Sequence, residues 1–97
     1  MIITKGTPKQ IVWAEKIRAT MEECFIALEA KYGPAPEVVK EYVTKEYLGR
    51  EDARYYIDGW GRWGKITPTD IIKTLCEKAP DAIADAAFEW SIAGIRK

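Results

Sequence analysis

The chain has 97 residues with 15 basic and 15 acidic side chains, so its net charge is zero. This length predicts a single domain over residues 1–97 that is large enough to bury a hydrophobic core. Because the charges balance, no overall field draws the protein to nucleic acid or to a membrane surface, and any such binding would need a local patch.

The first predicted element is a long helix over roughly residues 8 to 31. Thr7 is a favourable N-cap, Pro8 suits the first helical position, and Gln10 completes a capping box. Apolar side chains then recur at alternating spacings of three and four, which predicts one buried helix face. The members of that face are Ala14, Ile17, Met21, Cys24 and Leu28.

Two shorter helices are predicted next, one over roughly residues 36 to 48 and one in "REDARYYID". Acidic residues in the first turn of the latter suit a helix N-terminus. A β-hairpin over 54–66 that turns at an Asp-Gly pair is the alternative. If the helix forms, we expect Trp13 to pack on it and Arg18 to pair with Asp58.

The remaining chain predicts two more helices. Thr67, Pro68 and Asp70 repeat the opening capping pattern, and Pro80 starts an alanine-rich final helix. The apolar residues expected on its inner side are Ile83, Ala87, Phe88, Trp90, Ile92 and Ile95. The sequence as a whole therefore predicts an all-α fold, a compact bundle of four to five helices with a long N-terminal helix.

The segment "DGWGRWGK" contains the letters of a dinucleotide-binding loop, with glycines at 59, 61 and 64. That motif needs a strand before it and a helix that starts within it. Here a helix is predicted before the glycines, and the Trp and Arg side chains would obstruct a phosphate. We therefore predict no nucleotide site and no cofactor.

Two interpretations of this loop stay open. In the first, Trp60 and Trp63 fold back over the core and close one end of the bundle. In the second, Trp60, Arg62, Trp63 and Lys65 form an exposed partner-binding surface, because tryptophan and arginine are common in binding hot spots and in single-strand stacking sites.

A second basic group begins at the start of the first helix. Lys9, Lys16 and Arg18 could contact phosphates there, and Arg54 and Tyr55 would extend the patch if the third helix packs beside the first. The alternative is an ordinary solvated helix face.

Catalytic and metal-binding residues are scarce. The chain has no histidine, which removes the commonest general base and most metal sites. Cys24 and Cys76 have no evident activating partner, and we expect buried thiols that do not act as nucleophiles. The sequence thus predicts no enzyme and no metal, and leaves open whether the two cysteines are close. No signal-peptide pattern or membrane-length apolar run is found, which favours the cytoplasm.

Two stretches, "GTPKQIVWAEKIRA" and "ARYYIDGW", resemble small uncharacterised proteins of bacteria and their phages. The shared features are a Lys-Gln-Ile-x-Trp-Ala-x-x-Ile-Arg helix start and an aromatic-aromatic-Ile-Asp landmark. The resemblance implies a phage or mobile-element setting and carries no known chemistry.

Together these features predict a non-catalytic module that docks onto another protein. The resemblance suggests one concrete form, an inhibitor of a bacterial defence enzyme similar to anti-CRISPR proteins. The alternative is a single-stranded nucleic-acid-binding protein that uses the basic helix and the Trp/Arg loop. A third possibility is self-assembly through the apolar residues of 82–95, and the oligomeric state stays open.

Overall fold

The computed structural model describes residues 3–61 and 65–95 and shows five α-helices in that part of the chain. The spine is α1, Pro8–Tyr32. Thr7 Oγ1 accepts a hydrogen bond from Gln10 N at 3.2 Å, and Gln10 Oε1 accepts one from Thr7 N at 3.0 Å, so the predicted capping box is confirmed. Gly33 ends the helix with a positive φ of 93°, a conformation that favours glycine.

The second helix, α2, covers Glu37–Tyr42 and runs directly into a π-helical turn, Val43–Tyr47. The wider turn is closed by Leu48 N, which donates to Val43 O at 3.0 Å. The helix predicted over 36–48 is thus confirmed in extent. The π-turn inserts one residue into the helical ladder and changes the direction of the side chains that follow.

The third helix, α3, covers Ala53–Gly59, which confirms the helical interpretation; the alternative hairpin is wrong for the described part of 54–66. Asp52 caps it, with Oδ1 accepting from Arg54 N at 2.9 Å. The segment before α1 is tied to this start, since Lys5 N donates to Glu51 O and Ala53 N donates to Lys5 O.

The last two helices are α4, Pro68–Lys78, and α5, Asp81–Ile95. Asp70 N donates to Thr67 Oγ1 at 3.3 Å and Thr67 N donates to Asp70 Oδ2 at 2.8 Å, so the second predicted capping box is also confirmed.

The core lies along the predicted inner face of α1. Helices α3, α4 and α5 pack on α1, and α5 also packs on α4 and α2. All five residues predicted for that face are buried: Ala14, Ile17, Met21, Cys24 and Leu28. No helix among the described residues is long and apolar enough to cross a bilayer.

Helix α5 is anchored to the end of α1 through Trp90. Its indole Nε1 donates to Gly33 O at 3.0 Å. Its rings pack against Phe25 and Tyr32 with centroid separations of 5.9 and 5.6 Å. The glycine that ends α1 therefore also supplies the carbonyl that receives the last helix.

Two local expectations differ from the structure. Phe88 is 56% exposed, because its neighbours Ala87 and Trp90 occupy the buried side of α5. Arg18 does not pair with Asp58: its Nε donates to Leu48 O, and Asp58 lies 3.4 Å from the Nε of Arg54 instead.

Candidate functional site

The glycine loop divides into a buried part and a surface part. Trp60 is only 4% exposed, and its ring centroid lies 5.3 Å from that of Tyr47. Its indole Nε1 donates a hydrogen bond to Tyr55 Oη at 3.4 Å. This fits the first interpretation of the loop, in which Trp60 folds back over the core. The prediction that Trp60 docks directly onto a partner is wrong, because core residues already cover its indole. Arg62 and Trp63 lie outside the described residues, so their docking role stays a prediction.

Lys65, the remaining residue of the predicted docking set, borders an open cleft of about 420 Å³ beside α1. We call it the Trp13 cleft. It is lined by Trp13, Lys16, Ile17, Thr20, Lys65 and Ile66. It thus brings one lysine of the loop next to one lysine of the basic helix start, which are 49 positions apart in the chain.

Local contacts place both described ends of the loop against α1. A methyl group on Gly61 would lie 3.3 Å from Ile17 Cδ1 and 3.7 Å from Trp13 Cζ2. Ile66 is buried, and its carbonyl accepts a hydrogen bond from Cys24 Sγ at 3.6 Å. Gly61 and Lys65, the described residues on the two sides of positions 62–64, therefore both lie beside the Trp13 cleft.

The Trp13 cleft is an amphipathic, positively charged site. The indole of Trp13 and the side chain of Ile17 provide apolar surface, and Lys16 and Lys65 are both exposed. No carboxylate is among the described residues that line it. Such a site can hold an apolar side chain while the two lysines attract a negative group beside it.

The other predicted nucleic-acid contacts do not form one patch with this cleft. Lys9 is exposed on the same side of α1, two turns before Lys16. Arg18 is turned toward Leu48 O, and Arg54 stands 73% exposed next to Asp58. Tyr55 lines a different cleft, so the predicted extension of the basic surface through α3 is not found.

A second cleft of about 290 Å³, the aromatic cleft, lies between the π-turn, α3 and α4. Tyr42, Tyr47, Tyr55 and Trp60 supply its aromatic wall. The rings of Tyr42 and Tyr47 meet edge to face at 5.5 Å. Sequence reasoning missed this cleft, and the signal that could have indicated it is the density of tyrosines between positions 42 and 56.

The charges at the rim of the aromatic cleft are partly neutralised within the chain. Arg50 Nη2 lies 2.6 Å from Glu46 Oε2, and its guanidinium carbon lies 5.0 Å from the centroid of the Tyr55 ring. Lys78 adds a further cation at the rim. This arrangement holds the aromatic wall together and leaves less unpaired charge than the Trp13 cleft.

The clear pKa shifts among the described residues are upward and fall on tyrosine hydroxyls and cysteine thiols. Burial raises the pKa of the Tyr47 and Tyr55 hydroxyls, and the Trp60 hydrogen bond and Arg50 partly offset the rise at Tyr55. Burial also raises the pKa of the Cys24 thiol, with the charges of Asp70 and Glu23 adding to the effect. A raised thiol pKa lowers the thiolate fraction, which is the opposite of what a nucleophile needs.

The raised pKa values of the buried tyrosines predict that the folded protein loses stability at high pH. Above the ordinary tyrosine pKa of 10.0 the unfolded chain releases phenolic protons that folded Tyr47 retains. Stability is therefore fully present below that pH and falls as the pH rises, by up to about 1.4 kcal/mol per pH unit for each such group. We expect the melting temperature measured by circular dichroism to decline from about pH 10 upward, and less steeply in Tyr47→Phe. A decline of equal slope in Tyr47→Phe would contradict this assignment.

The described residues that line the two clefts include no metal-binding cluster. Within residues 3–61 and 65–95 no group of three or more Cys, Asp or Glu side chains is placed to hold an ion. Cys24 and Cys76 are both free thiols, one buried and one partly buried.

Comparison with known proteins gives no relative from which a function could be transferred. No family model, no curated protein and no solved structure matches the chain. The resemblance to small phage and bacterial proteins stays a prediction.

Proposed function

We propose that the chain is a non-catalytic binding module that docks onto a protein through the Trp13 cleft. The observation that supports this most directly is the exposure of Trp13, of which 51% is open to solvent between two exposed lysines. A tryptophan is a large apolar surface to leave in water, and tryptophan is the residue type most enriched in binding hot spots. Arg62 and Trp63 follow Gly61 directly in sequence and lie outside the described residues, so their part in docking stays a prediction from the sequence.

The side chains of the Trp13 cleft indicate which groups a partner segment would carry. An apolar side chain would pack against Trp13 and Ile17, while a carboxylate next to it would lie near Lys16 and Lys65. The partner is therefore a protein with an acidic segment that carries a hydrophobic residue. The anti-CRISPR form of this proposal rests on the sequence resemblance alone.

Charge counting favours protein over single-stranded nucleic acid. Two lysines would neutralise about two phosphates, and the salt dependence would then have a log–log slope of only about −1.4. Proteins that bind nucleic acid tightly usually make several times as many phosphate contacts. A nucleic-acid role stays the second candidate because an exposed tryptophan flanked by lysines also suits base stacking.

The test is a peptide-display selection on the immobilised full chain. We expect enriched peptides that combine acidic residues with an aromatic or aliphatic side chain, and we expect their binding to be weakened by about 2 kcal/mol or more in Trp13→Ala. Phe88→Ala is the matched control, because Phe88 is a similarly exposed aromatic residue on α5, outside the Trp13 cleft. Peptides that bind both variants as well as the wild type would refute the assignment of the cleft.

Titration of a single-stranded oligonucleotide at two salt concentrations tests the second candidate function, nucleic-acid binding. Tryptophan quenching that saturates and weakens with salt would favour nucleic acid. Quenching that persists in Trp13→Ala would show that the oligonucleotide binds elsewhere.

A further inference from the structure

The outer face of α1, opposite the core, carries an apolar and charged pattern that shares only Lys16 with the Trp13 cleft. Val12 and Ile26 are 57% and 58% exposed, and Lys16, Ala19 and Glu23 between them are exposed as well. At 100° per residue these five side chains fall within a sector of about 80°. An ordinary solvated helix face would place polar residues where Val12 and Ile26 stand.

The pattern is symmetric about Ala19 to within one residue. Val12 lies seven positions before Ala19 and Ile26 seven positions after it. Lys16 lies three positions before Ala19 and Glu23 four positions after it. The residue at the centre has a small side chain, which permits close approach of a second helix.

We propose that this face pairs with the same face of a second copy of the chain, in an antiparallel arrangement around a two-fold axis at Ala19. In that register Val12 of each copy lies opposite Ile26 of the other, and Lys16 of each copy lies within one residue of the level of Glu23 of the other, on the same side of the interface. A two-fold axis makes every contact occur twice, so the interface contains two intermolecular Lys–Glu pairs.

Charge decides the direction of pairing. In a parallel arrangement in register, Lys16 of one copy would lie beside Lys16 of the other, and Glu23 beside Glu23. Both contacts bring like charges together and are unfavourable. Neither Lys16 nor Glu23 forms an ion pair within the described part of the chain. Both charges are therefore available to a second copy.

The size of the surface predicts a weak dimer. One helix pair buries less than a standard interface of about 1,200–2,000 Å² and falls in the range of transient contacts. We expect dimers that appear with rising concentration, in sedimentation velocity runs from about 10 μM to about 1 mM.

The test uses charge reversal on the full-length chain. Lys16→Glu places two carboxylates together at each contact, and Glu23→Lys places two ammonium groups together, so each variant alone should remain monomeric. Mixing the two variants restores opposite charges at every contact and should restore the dimer, as should the double variant K16E/E23K. Lysine and glutamate are both good helix formers, and both positions are exposed, so circular dichroism should show unchanged helicity in every variant.

Two results would overturn the proposal: a wild-type chain that stays monomeric throughout the concentration series, or a dimer that the single reversals leave unchanged. Lys16 also borders the Trp13 cleft, whereas Glu23 does not. The effect of Glu23→Lys therefore reports on self-association alone, and it is independent of the peptide-binding test.

Discussion

Replacement of Trp60 by alanine is expected to destabilise the domain by about 3–5 kcal/mol, the cost usual for removing a buried tryptophan. Trp60 is 4% exposed, and its rings pack against Tyr47, which is itself 6% exposed. Alanine would leave a cavity between the π-turn and α3 and would remove the donor to Tyr55 Oη. Urea unfolding followed by circular dichroism measures the loss as a lower midpoint at similar slope.

Two variants make this result specific. Trp60→Phe keeps an aromatic ring and loses the indole donor, so its cost should be nearer about 1 kcal/mol. Trp13→Ala removes a tryptophan that is half exposed, so we expect a smaller loss than in Trp60→Ala. An unfolding midpoint in Trp60→Ala equal to that of the wild type would show that Trp60 is not a core residue.

The contrast between these two tryptophans is also the basis of the functional proposal. Trp60 belongs to the glycine loop and Trp13 to the basic start of α1, and only Trp13 is at the surface. Trp60 stabilises the fold next to the loop, and Trp13 is the one of the two that is accessible from solvent. A variant that loses binding and keeps its stability is therefore expected at Trp13 and not at Trp60.

The helix boundaries could be predicted because local chemistry decides them. Thr7 and Thr67 each start a helix through hydrogen bonds to residues three positions away, and Gly33 ends one through its own backbone angle. The buried face of α1 was predictable for a similar reason, since spacings of three and four define one side of any helix.

Exposure at the edge of a helix face could not be predicted in the same way. Whether Trp13 or Phe88 is covered depends on how far the neighbouring helices extend over it, which is a long-range property. The π-turn at Val43–Tyr47 could not be predicted either, because its i to i+5 hydrogen bonding has no clear signature in the local sequence. The aromatic cleft depends on that turn, since the cleft joins Tyr42 and Tyr47 to residues of α3 and α4.

The Trp13 cleft could be predicted only in part. Lys16 and Lys65 were both identified as candidate contacts from their local surroundings. Their juxtaposition depends on the fold, because Ile66 is buried against the inner side of α1 and holds the end of the loop there. Long-range packing of this kind leaves no pattern in either segment alone.

Gly94→Ala is the second change for which we expect a large effect, a loss of about 1–3 kcal/mol from overpacking. A methyl group at position 94 would lie 2.6 Å from the Cα of Tyr32 and would also overlap its ring carbon Cδ1. The obstacle includes backbone, so α5 would have to move away from the end of α1. That movement would disturb the hydrogen bond from Trp90 to Gly33 and the edge-to-face contact of Trp90 with Tyr32.

Gly59→Ala is the matched control, because a methyl group at position 59 would meet no atom within 4 Å. There the substitution only reduces the freedom of the unfolded chain and should stabilise the domain by about 0.4–1 kcal/mol. The two alanine variants should therefore shift the melting temperature in opposite directions, by several degrees each at about 4–8 °C per kcal/mol. Equal shifts would mean that α5 does not approach α1 at Gly94, and the anchoring of the last helix through Tyr32 and Trp90 would then have to be abandoned.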